Sequence, residues 1–203
     1  MALPLPGVVG DLITRMSFDA LAAAVMPTPV TVLPSNPFDG QEVLYLADAT
    51  NGVVWHLKYR KGSASAYKWE YVGGAPLVSQ SLAGVTSASI ATSTWSAIAS
   101  APSITVPLAG DYDFINVAGV QPNTAAATVA TGVKVGATEP AINTNAAYQY
   151  MGTPAANVVL SHAERITGVA ASTVLLQRYW QNGAAQTLGR TEAHLRVVPV
   201  RVG

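Results

Sequence analysis

The sequence predicts a mainly β protein: a short N-terminal helix, a small three-stranded β-meander and a C-terminal β-sandwich of jelly-roll type. Three observations predict it. Short β-branched runs separated by Gly, Pro and Asn fill the chain beyond about residue 77, the pattern of a sandwich or jelly roll. Period-two alternation of large apolar and aromatic residues with charged ones marks two strands, Val53 to Arg60 and Tyr67 to Tyr71. Apolar residues recur at helical spacing only near the N-terminus. The elements divide into 1–30, 31–76 and 77–203.

In the first segment, Val8, Leu12, Ile13, Met16, Leu21 and Val25 lie on one helical face, interrupted near Ser17, a good N-cap with Asp19 following. Pro27 and Pro29 stop the helix. So short a helix is marginal alone and needs a surface to pack on. Leu12, Ile13, Met16, Leu21 and Val25 are therefore candidate anchor residues, either lying on the chain's own domain or docking into a partner or a trimer seam.

The second segment opens on a Pro-rich turn and Asp39-Gly40. "EVLYLAD" and "VVWHLKYR" read as strands joined across Ala49-Thr50-Asn51-Gly52, with Asn-Gly as a strong hairpin signal. "YKWEYVG" is a third strand. Val53, Trp55, Leu57 and Tyr59 share a face, as do Tyr67, Trp69 and Tyr71, while His56, Lys58, Arg60, Lys68 and Glu70 fall opposite. A module this small buries little surface, so Trp55, Tyr59, Tyr67, Trp69 and Tyr71 are expected to form its core. Interleaved aromatics and cations also suit stacking on bases or sugars. The strand phase argues against that, because it puts rings and cations on opposite faces, as in a half-buried sheet.

In the third segment, expected strands include "ASIAT", "STWSAIA", "SITVPL", "DYDFINVAGV", "AATVATGVKVG", "NVVLSHAE", "ERITGVAAS", "TVLLQRYWQNG" and "AHLRVVPVRV". Pro199 inside the last implies an edge or a bulge.

Composition bounds the function. Charged residues make up 11% of the 203, against roughly 25% in a typical soluble domain, and 50% are hydrophobic. So little charge fits a surface coated with neutral polar groups and largely buried against other copies of the chain. The net charge of zero gives no reason to expect nucleic acid. The absence of Cys removes disulfides and thiolate chemistry. The N-terminus lacks the basic start of a signal peptide, and no run reaches a membrane span. The chain reads as soluble and made in the cytoplasm.

Catalytic signatures are missing. His56, His162 and His194 have no metal-ligand spacing, and there is no H-E-x-x-H, P-loop, G-x-G-x-x-G or G-x-S-x-G. Asp111 and Asp113 share a strand face and could hold a cation, but Gly110-Asp111 reads better as a turn into a strand. A glycosidase carboxylate pair has no local signature, and eleven acids offer few candidates. The expectation is a non-enzyme with no catalytic, cofactor-binding or metal residues and no cofactor.

Several words in the chain resemble a module of tailed-bacteriophage virion proteins: minor tail, tail-fibre or head-decoration proteins. They are D-G-Q-E-V at Asp39 to Val43, W-H-L-K-Y-R at Trp55 to Arg60 and S-A-Y-K-W-E-Y-V-G-G at Ser65 to Gly74. "SITVPLAGDYDF" and the terminal "LRVVPVRV" resemble the β-domain that follows it. The resemblance implies a virion structural protein, assembled in the host cytoplasm as a homotrimer. Its partners would be other virion proteins of tail or capsid, and a host-surface glycan if it contacts the host. It implies a tail fibre or spike, or alternatively a capsid decoration protein; a carbohydrate-binding module is the weaker third reading. It carries no catalytic residue.

Overall fold

The computed structural model describes residues 28–82, 86–123, 126–142, 145–153 and 156–203. Among the described residues, twelve strands form two antiparallel sheets facing one another. The larger sheet holds β1 (Glu42–Asp48), β2 (Val53–Tyr59), β3 (Trp69–Gly74), β4 (Leu77–Ser81), β5 (Thr86–Ile90), β7 (Gly110–Pro122), β10 (Val158–Val169) and β12 (Gln186–Val202). The smaller has the order β6 (Ser103–Thr105), β11 (Val174–Gln181), β8 (Ala127–Val135), β9 (Ala146–Met151).

This corrects the expected fold class. The described residues contain no helix; they are all-β, in two antiparallel sheets, consistent with a sandwich but without a helical element beside it. Within strands such as Val53–Tyr59 buried and half-buried positions alternate, a period that a strand buries and a helix cannot. The helix and the anchor residues Leu12, Ile13, Met16, Leu21 and Val25 lie outside the described residues.

The 17-residue β12 is the spine of the larger sheet. One of its edges carries β7; the other carries β3, β4 and β5 in succession. The meander β1-β2-β3 therefore continues the sandwich sheet through the pairs Arg201↔Glu70 and Val202↔Trp69. Between β3 and β4 the chain leaves β2 and moves onto β12. Gly74 makes this possible: its φ is +120°, and a Cβ there would sit 2.3 Å from the Val54 carbonyl oxygen. At the opposite end, the hairpin turn is held by Asp48, whose carboxylate accepts the N–H groups of Thr50 (2.9 Å) and Asn51 (3.1 Å). Gly52 takes a φ of +66° after it. Pro199 sits on β12 at a register shift against β7, where a bulge relieves the missing N–H.

Two apolar clusters fill the sandwich. The first joins meander and sandwich: Trp55, Leu57 and Trp69 pack with Tyr112, Phe114, Leu175, Leu195 and Val197. Tyr112 enters it with its hydroxyl donating to the Leu108 carbonyl at 2.6 Å, an arrangement familiar at sandwich corners. The second cluster gathers Ile90, Ile98, Val120, Val129, Tyr179 and Leu188.

A polar belt crosses between the sheets, its members fully buried. Asn116 of β7 donates to Thr131 of β8 at 3.2 Å, and Gln177 of β11 donates to Asn116 and to the Val117 carbonyl at 3.0 Å. The Tyr179 hydroxyl donates to Gln177. Buried amides hold their place only when bonded, so the belt fixes the position of one sheet on the other.

Candidate interaction surfaces

The aromatic and basic stretch lies at the junction of meander and sandwich. Trp55 is fully buried and Trp69 nearly so; Tyr59, Tyr67 and Tyr71 are half-buried. Rings pack in sequence: Tyr45 tilted against Trp55 at 6.1 Å, Trp55 tilted against Tyr112 at 6.3 Å, and Tyr59 edge-on to Trp69 at 5.3 Å. The Trp55 indole donates to the Ala75 carbonyl at 3.1 Å. Tyr67 precedes β3, and the Tyr71 hydroxyl donates to the Gly74 carbonyl at 2.7 Å.

Most of the cations on the other face are occupied. Lys58 and His56 both bond Glu42 (2.7 and 2.9 Å), and Arg60 bonds Glu70 at 2.8 Å. The Lys58 and His56 hydrogen bonds hold the Glu42 carboxyl below its ordinary range. Lys68 donates to the Ser63 carbonyl. A strip neutralised in this way has little attraction left for an anionic polymer.

Asp111 and Asp113 are each used within the sheet. Asp111 accepts the Gly168 N–H at 3.0 Å, and Asp113 receives Arg165 through two bonds of 2.7 and 2.9 Å. The Arg165 hydrogen bond holds the Asp113 carboxyl low. The three histidines are not brought together: His56 is on β2, His162 on β10 and His194 on β12. Among the described residues no group of three His, Cys, Asp or Glu could hold a metal.

A cleft of about 510 Å³ lies between the β1–β2 hairpin tip and strands β4 and β6. Another of about 490 Å³ opens at the mouth of the sandwich, floored by Phe114, Val133, Val135 and Ile166, with Glu139, Asn145 and Glu164 at its polar side. There His162 lies 5.8 Å from the Phe114 ring and 3.2 Å from Glu164. Glu139 takes Arg178 through two 3.0 Å bonds and also Lys134 at 3.2 Å. The two carboxylates that line this cleft are each bonded to the chain's own groups.

The outer faces are the residues that reading the sequence missed. On the larger sheet the register lines up Val78, Arg196, Ile115 and Ala163 in one row, and Gln80, His194, Val117 and Ser161 in the next. Val78, Ile115 and Val159 are 53%, 41% and 54% exposed. On the smaller sheet Trp180, Ala130 and Tyr148 form a row, with Tyr150 two residues on; Tyr148 and Tyr150 are 57% and 67% exposed. The alternation in "AAYQYM" was the available signal for this strand.

No family model matches the chain, and no curated protein does. Among solved structures, the chain is similar to the Eiger TNF of S. frugiperda: TM-score 0.43, 9% identity, over 64% of this chain and 95% of that one. It is also similar to a chain of the infectious bursal disease virus Gx strain: TM-score 0.43, 10% identity, over 71% of this chain and 40% of the viral one.

Proposed function

We propose that this chain is a structural protein of a bacteriophage virion, a homotrimeric tail-associated fibre or spike component that performs no catalysis. The observation that carries the reading is the outer surface. In a chain with 11% charged residues, both sheets turn half-exposed or more exposed Val, Ile and Tyr outward, and most acids of the described residues are bonded to the chain's own groups. A surface of that kind is built to be covered by copies of itself or by other virion proteins. The words shared with phage virion modules support the particle as its setting, and the exposed Tyr148 and Tyr150 suit contact with a host-surface glycan.

Gold-labelled antibody against the chain, imaged on purified virions of the phage that encodes it, tests the reading. Label at the tail is the expected result. Label on the head replaces the fibre reading with capsid decoration. Virions without label overturn a structural role on the particle.

A further inference from the structure

The larger sheet ends in two unlike edges. At β1 the edge is covered: Val30 bridges Tyr45, donating to the Leu44 carbonyl at 2.7 Å and accepting the Leu46 N–H at 2.8 Å, with Pro29 just before it. At β10 one edge is bonded to β7 from Val158 to Val169, and among the described residues no strand pairs with the other. The smaller sheet ends in β6, of three residues, and β9, of six, so among the described residues the twelve-residue β10 is the longest open edge. An open edge of that length is a template for another strand.

Its side chains restrict which strand fits. Leu160, His162, Glu164 and Ile166 point between the sheets, while Val159, Ser161, Ala163 and Arg165 point outward. His162 and Glu164 are only 17% and 24% exposed. Glu164 already holds the Asn145 amide and His162 of its own chain, and an apolar strand added here would take these groups further from water without another partner, which is costly. A strand that sets a base opposite Glu164 and an acid opposite His162 avoids that cost, and β10 itself is such a strand.

We propose that β10 is a homotypic edge: two copies pair antiparallel about a two-fold axis at Ala163, continuing the larger sheet from one copy into the other. In that register Ala163 faces Ala163 of the second copy, His162 faces its Glu164, Leu160 faces its Ile166, and Ser161 faces its Arg165. Moving the axis by one residue sets Glu164 against Glu164 or His162 against His162, so the charge pattern selects one register. The contact is two-fold, and it joins chains independently of any three-fold assembly.

The chain has no cysteine, which makes the test direct. Residues directly opposite in an antiparallel pair have Cβ atoms within ~5 Å, close to disulfide geometry. Under mild oxidation the full-length Ala163→Cys variant is expected to form a disulfide-linked species of twice the 21.0 kDa chain mass. Thr167→Cys, exposed on the same strand but far from its own copy in this register, is expected to form none. Adding Glu164→Lys to Ala163→Cys should abolish the cross-link, and the charge swap His162→Glu with Glu164→His should restore it. Circular dichroism of each variant establishes that it is folded. No cross-link in a folded Ala163→Cys, equal cross-linking of both cysteines, or failure of the swap to restore it overturns the proposal. These outcomes leave the virion reading untouched, which the gold label decides separately.

Discussion

The two halves of the sandwich interior are built from different chemistry. The half beside the meander is apolar and aromatic: Tyr45, Trp55 and Tyr112 pack in series, and Leu57, Phe114, Leu195 and Val197 surround them. The far half mixes Ile, Val and Leu with fully buried polar groups, among them Gln177, Gln181 and Arg190. Arg190 donates to the Ser100 carbonyl and the Ser81 hydroxyl, each at 2.8 Å, and no carboxylate of the described residues bonds it. The first half gains cohesion mainly from buried area and ring contacts. The second gains position from hydrogen bonds.

Substitutions in the two halves should therefore behave differently. Trp55→Ala removes the central ring of the aromatic series and should cost about 3–5 kcal/mol, read as a fall in the urea midpoint. A cost under about 1 kcal/mol would show that the ring series does not join meander to sandwich. Gly74→Val should follow, at about 2–3 kcal/mol, because it forces a branched side chain into a positive φ and against the Val54 carbonyl. Gln177→Leu leaves Asn116 and Tyr179 short of a partner and should cost about 1–3 kcal/mol. A neutral result there would break the contrast between the halves.

The smallest effect concerns acid. Glu42 and Asp48 have carboxyls held low, by the Lys58 and His56 hydrogen bonds and by the Asn51 side chain and backbone respectively. A carboxyl depressed in the folded state contributes stability above its unfolded pKa and loses it as pH falls through the folded value. The hairpin end, and the β7–β10 pair where Arg165 holds Asp113 low, should therefore loosen below about pH 4 ahead of the smaller sheet, as read by amide exchange. Simultaneous loosening of the smaller sheet would contradict this.

The contrast also explains what could be read from the chain alone. The β1–β2 hairpin was legible because Asn51-Gly52 and the Val53-Trp55-Leu57 alternation are strong local signals. The expected strands around Ser103, Asp111 to Val120 and Ala126 to Gly136 have counterparts in β6, β7 and β8 for the same reason. The polar half was not legible. β12 begins at Gln186, seven residues before the expected Ala193, because Gln186 and Arg190 occupy buried positions and read as surface residues. "STWSAIA" is not a strand but a connection that buries Ile98 and bridges Ser96 to Tyr179; Ser93 and Ser100 turn it with φ of 55° and 59°, where Gly would have given warning. "NVVLSHAE" and "ERITGVAAS" fuse into β10, whose register shift comes only near Gly168. β4 escaped because its small, polar sequence becomes a strand only beside β12, and β9 because its alternation spans only six residues and becomes a strand only beside β8. Of the interaction surfaces, the aromatic words were visible, while the rows Val78-Arg196-Ile115-Ala163 and Trp180-Ala130-Tyr148 exist only through non-local register.

The claim that the outer faces are covered by copies of the chain is tested most directly by native mass spectrometry of the full-length protein at low micromolar concentration. Assemblies at three times the 21.0 kDa chain mass, or at twice that trimer, are the predicted result. A clean 21.0 kDa monomer would contradict it.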